Sequence, residues 1–176
     1  MSESTFGNGI VVGVDGSEAS LAALRWAGDQ ARILGIEVVA VHAWEPAAPL
    51  APYASAAGRP TTAEQRERAA ALLHSTVRRA FGARPAPSVR VVLVQGPPAQ
   101  VLLGRTRGAR ILALGRRAHG QWQLPALGTV GRDCLRYAQV PVVTVPPSSG
   151  EAVQPPTTGG TALPRGKART ASVRTG

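Results

Sequence analysis

Five short apolar runs limit what this chain of 176 residues can fold into. They are Gly9 to Val14, Val38 to Ala43, Val89 to Val94, Ile111 to Leu114 and Pro141 to Val145. Gly9 to Val14 is continuous rather than alternating, as a strand buried on both faces is, and all five are too short for a helix. Segments of helical periodicity stand between them. Leu21, Leu24, Ala27, Ala31 and Leu34 follow the first run. Ala69, Leu72, Leu73, Val77 and Phe81 follow the second, with Arg66, Arg68, Arg78 and Arg79 on the opposite face. Alternating strands and helices predict an α/β domain with a parallel sheet covered on both faces. Right-handed crossovers then restrict it to a doubly wound sheet.

The helix boundaries carry their own signals. Ser17 is the expected N-cap of the first helix, with Glu18 at its positive end and Gly35 as its stop. Thr62 is the expected cap of the second, which runs to about Gly82. Pro97 and Pro98 open the third, where a missing N–H costs nothing. Thr129 to Ala138 reads as the fourth. Pro46 to Pro60 is rich in alanine and proline and predicts a long loop. Residues 1–8 read as a disordered N-terminus, 9–146 as one domain, and 147–176 as a disordered, basic tail rich in Ser, Gly, Pro and Thr.

The formal charge is +10, and residues 151–176, with four basic residues and one acidic, hold +3 of it. Such a balance favours polyanionic partners without naming one. A nucleic-acid-associated protein is one reading, but the basic residues are scattered and no aromatic platform interleaves them, so nucleic acid is an unlikely partner. One cysteine, Cys134, excludes an intrachain disulfide and reads as a small core residue. There is neither a basic leader nor an apolar run of membrane-spanning length, so the expectation is a soluble cytoplasmic protein with no membrane partner.

The stretch Ile111 to Thr129, ILALGRRAHGQWQLPALGT, is the candidate site. A strand stops at Gly115; a loop with Arg116, Arg117 and His119 follows; a helix opens at Gly128-Thr129. Unpaired N–H groups at a helix start hold anions, and glycines let a ligand come close to the backbone. Gly115 and Ala118 are separated by two residues, and Ala118 and Gly128 by nine. This spacing resembles the nucleotide-binding pattern G-x-x-G-x9-G-[S/T] of the universal stress protein family, with Ala118 in the second glycine slot. "IVVGVDGS" from Ile10, "VVAVHAW" from Val38, "VQGPPAQVLL" from Val94 and "PVVTVP" from Pro141 extend the resemblance over about residues 9–146.

That resemblance implies an adenine nucleotide α-hydrolase-like sheet of order 3-2-1-4-5, with a ligand crevice between strands 1 and 4. It implies ATP or a related adenine nucleotide as ligand, with or without magnesium, in a stress-responsive regulatory module. Asp15 would read the adenine or its neighbourhood, and the backbone of Val41 would meet the base. Gly115, Gly128 and Thr129 would cradle phosphate, and Arg117 matches a basic position common in the family. Ala118 puts this cradle in question: alanine is strained if the slot needs positive φ, and its methyl stands where phosphate would approach. A family member that has lost nucleotide and acts only as a dimeric interaction protein is therefore the alternative. The resemblance further implies a homodimer through the apolar edge strand Pro141–Val145. His42, His74 and Trp122 read as structural residues. The sequence has no G-x-x-x-x-G-K-[S/T], H-x-G-H, G-x-S-x-G or C-x-x-C motif and no close carboxylate pair. Catalytic residues are therefore named as none, and at most slow ATP hydrolysis is expected.

Overall fold

The computed structural model describes residues 8–47, 60–82, 88–119 and 124–147. The elements are β1 (Ile10–Gly13), α1 (Glu18–Leu34), β2 (Val38–Trp44), α2 (Thr62–Phe81), β3 (Val89–Gln95) and α3 (Pro98–Arg105). They continue as β4 (Ile111–Gly115), β5 (Arg117–His119), β6 (Leu124–Ala126), α4 (Thr129–Tyr137) and β7 (Val142–Val145). The main sheet has the order β3-β2-β1-β4-β7, all parallel, which is the expected order with β7 as its fifth strand. Between β4 and α4 the chain adds a short antiparallel hairpin, β5–β6, where the sequence predicts loop. The predicted tail, most of the Pro46–Pro60 loop and Trp122 lie outside the described residues. No helix among the described residues is long and apolar enough to cross a membrane.

Side chains alternate across the sheet and so feed two cores. Ile10, Val12, Val38 and Ala40 pack under α1 and α2 with Leu21, Leu24, Leu73 and Phe81. Val11, Val39, Val41, Leu112 and Leu114 pack under α3 and α4 with Leu102 and Cys134. The α1–α2 contact is close: a β-carbon on Gly28 would stand 2.4 Å from the Phe81 ring, so only glycine allows that approach.

The helix ends follow local chemistry. Gly35 takes the left-handed conformation, φ 63°, and its N–H bonds the Ala31 carbonyl, closing α1. The cap of α2 is Thr61, not Thr62. Its hydroxyl accepts the Glu64 N–H at 3.2 Å, while the Glu64 carboxylate accepts the Thr61 N–H at 2.6 Å. This reciprocal box requires the hydroxyl three residues before the glutamate, which selects Thr61. The bond from the Thr61 backbone, then that from its side chain, holds the Glu64 carboxyl below the usual carboxylate range.

Candidate functional site

The chain leaves β1 toward one flank of the sheet and leaves β4 toward the other, so a crevice opens where these strands end. A cavity of about 500 Å³ occupies it, reached by Asp15, Val41, Gly115, Gly128 and Thr129. Five of the seven predicted site residues thus meet in one place. Val41, Leu102, Leu114, Pro98 and Val130 give the cavity apolar walls.

Three helices begin at this cavity, and their starts differ. At α1 the chain satisfies its own amides. The Ser17 N–H and hydroxyl both donate to Asp15 Oδ1, at 3.0 and 2.5 Å, and the Ser20 N–H donates to Ser17 Oγ at 3.2 Å. At α3, Pro97 and Pro98 have no N–H to offer. At α4, Gly128 is the N-cap and no side chain caps the helix. The first helical bond runs from the Arg132 N–H to the Gly128 carbonyl at 3.0 Å. The amides of Thr129, Val130 and Gly131 therefore have no hydrogen-bond partner among the described residues. A β-carbon on Gly128 would meet nothing within 4 Å, so the approach to those amides is clear.

Gly115 lines the cavity, but packing dictates its identity. A β-carbon there would lie 2.3 Å from the carbonyl carbon of Ala19 and 2.5 Å from the Ser20 nitrogen. The end of β4 presses on the first turn of α1, and only hydrogen fits between them. The reading of Gly115 as a glycine kept for phosphate approach misses this constraint.

Arg117 and Ala118 lie in β5, where Ala118 pairs with Pro125 and Arg117 with Ala126. Paired strand backbone is extended, so the left-handed strain expected of alanine in this slot does not arise. Arg116, just before the hairpin, donates its N–H to the Val145 carbonyl at 2.8 Å and so ties the hairpin base to β7.

Val41 faces the cavity with its side chain, while its carbonyl receives the Val14 N–H at 2.8 Å. In this register the odd-numbered residues of β2 direct their peptide groups toward β1, and the pairing ends at Gly13↔Val41. Ala43 is the next odd residue. It stands beyond the last pair, lines the cavity, and has no strand beside it on that side among the described residues. Its N–H and C=O thus form a donor–acceptor edge open to a ligand. The sequence reading missed this residue because strand parity depends on where β1 stops. His42 lies between the two: its Nδ1 meets the Val14 carbonyl at 2.6 Å, and its ring borders the cavity. His74, by contrast, is exposed on α2.

Cys134 is fully buried on the inner face of α4, and burial, with a smaller push from Asp133, raises its thiol to about 11. Such a thiol is a packing group, as expected.

Known proteins are similar to this chain in sequence and in fold. A universal stress protein of Mycolicibacterium smegmatis is 30% identical over 138 residues, covering 78% of this chain and 45% of its own. One from Mycobacterium tuberculosis is 32% identical over 136 residues, covering 76% of this chain and 44% of its own. The chain therefore spans less than half the length of these relatives. Among solved structures, a universal stress protein in complex with cAMP superposes with a TM-score of 0.56 at 24% identity, over 78% of this chain and 95% of its own. One from Arabidopsis thaliana with AMP bound gives 0.51 at 18% identity, over 81% and 93%. These likenesses share the fold described above. The description "Universal stress protein family" matches residues 8–146, and this chain belongs to that family.

Proposed function

We propose that this chain is a regulatory module that binds an adenine nucleotide, ATP foremost, with or without magnesium, in the response to stress. The observation that carries the reading is the open start of α4, which faces the free peptide edge of Ala43 across an apolar cavity. Free amides with the positive end of a helix suit a phosphate. An apolar slot ending in one donor and one acceptor suits the N1 and N6 edge of adenine. The family's structures with cAMP and AMP bound support the same class of ligand. In this reading Thr129 adds its hydroxyl to the phosphate site, Asp15 faces the sugar or base, and Arg117 serves phosphates beyond the first. Val41 contributes an apolar wall. The working unit is the domain of residues 9–146, acting in the cytoplasm. Isothermal titration with ATP, AMP and cAMP tests the proposal. Binding at micromolar to submillimolar nucleotide is expected, and no heat at millimolar nucleotide with folded protein would overturn it.

The same reading includes a homodimer through β7. The Leu112 N–H bonds the Pro141 carbonyl, and the Arg116 N–H bonds that of Val145. Odd-numbered positions of β7 therefore face β4, and the peptide groups of Val142 and Thr144 face the open edge. That edge is apolar and β-branched, with no charged residue from Val142 to Val145 to deter pairing. Replacing Thr144 with proline removes an outward donor while leaving the β4 ladder intact. Light scattering should show a dimer for the wild type and a monomer for T144P. A wild type that stays monomeric at high concentration would exclude the edge contact.

A further inference from the structure

His42 has no assigned role, yet it occupies an unusual place in the β1–β2 ladder. The Val14 N–H already bonds the Val41 carbonyl, at 2.8 Å. The next rung of a parallel ladder would run from the Ala43 N–H to the Val14 carbonyl. That rung is missing, and the carbonyl meets His42 Nδ1 instead, at 2.6 Å. A carbonyl oxygen only accepts, so Nδ1 carries the hydrogen and the imidazole is the donor. The side chain of one residue thus replaces the backbone donor of the next.

From this substitution we infer that His42 is a positioning residue for base recognition. By holding the Val14 carbonyl, it keeps the Ala43 N–H out of the ladder and turned to the cavity. The inference rests on the nucleotide reading for its ligand, but its geometry belongs to the free protein. A 6-aminopurine places an acceptor at N1 and a donor at the exocyclic amine, which complements an N–H and C=O pair. A 6-oxopurine reverses both. With the Ala43 N–H held open, the site should take the amino base and reject the oxo base. With the N–H spent on Val14, that distinction should fade.

The test uses AMP and IMP as probes. Wild type should bind AMP at least about tenfold more tightly than IMP, a gap of roughly 1.4 kcal/mol. His42→Leu removes the donor and should bring the two affinities within about twofold. His42→Asn, whose amide nitrogen reaches the Nδ1 position, should restore the gap. A merely structural histidine would weaken both nucleotides alike and leave their ratio unmoved. Should the leucine variant fail to fold, His42→Gln, with its donor displaced from Nδ1, replaces it. A second readout needs no ligand: amide exchange at Ala43 should be fast in wild type and slow in His42→Leu. An unchanged AMP to IMP ratio with unchanged exchange at Ala43 overturns the inference and leaves the nucleotide reading standing. Wild type that binds neither nucleotide, with the exchange difference present, overturns the nucleotide reading and retains the backbone role of His42.

Discussion

Two helix starts face the same cavity and are built from opposite materials. At α1 the Asp15 carboxylate and Ser17 hydroxyl lie at the amides, so the chain supplies its own anion. At α4 a glycine stands in the capping position, and no described residue bonds the amides of the first turn. Both helices carry the same kind of macrodipole. The dipole becomes a binding site only where local sequence leaves the end unsatisfied. The glycines follow the same division. Gly115 exists because the α1 backbone presses on β4, whereas Gly128 has open space around it.

This contrast can be tested, and the largest effect belongs to the packed side. Gly115→Ala must separate β4 from α1 and should cost roughly 2–3 kcal/mol, at the upper end of overpacking penalties. Gly128→Ala should stay within about 0.5 kcal/mol of wild type, as a substitution into open space does. Urea denaturation of both variants decides this, and equal losses would mean that the two glycines are not distinguished by packing. Next comes Gly128→Asp, which gives α4 a start like that of α1. It should weaken AMP binding more than about tenfold, or roughly 1.4 kcal/mol, while stability holds or rises by a few tenths. Unchanged affinity in a titration would place the phosphate elsewhere. Ser17→Ala, which uncaps α1, should cost about 1 kcal/mol in thermal unfolding. No change in melting temperature would show the cap to be redundant. The smallest effect is expected from Ala118→Gly. Because β5 is extended at Ala118, nucleotide affinity should shift by no more than about twofold, or roughly 0.4 kcal/mol. A tightening of tenfold would restore the view of Ala118 as an obstacle.

The sheet was legible because its strands are short, mostly apolar runs, and in the central strands β1 and β4 burial leaves a continuous apolar signal. That Asp15, Gly128 and Thr129 line one crevice was legible, because topology and glycine spacing point there. The hairpin was not, since strands of three residues are too short to show a period, and Pro125 within β6 argues against one. Thr61 could have been found by counting back three residues from Glu64. The reason for Gly115 could not, because the backbone it meets lies about a hundred positions away in sequence. Ala43 escaped for a different reason. Its side chain carries no information, and which peptide of β2 lies beyond the ladder depends on where β1 ends.

Cys134 gives the protein a built-in clock. The thiol is the sole cysteine, sits at 0% exposure on the inner face of α4 and is raised to about 11. An alkylating reagent at neutral pH can therefore modify it only when α4 lifts from the sheet, so the labelling rate counts those openings. Once α4 lifts, the burial that raises the thiol is gone, so the opened state reacts as an ordinary thiol while the closed one stays protected. The helix that carries this thiol is also the helix whose first turn lines the cavity. If the proposed nucleotide binds at that turn, its occupancy should slow alkylation at the sulfur, readable by mass on unmutated protein.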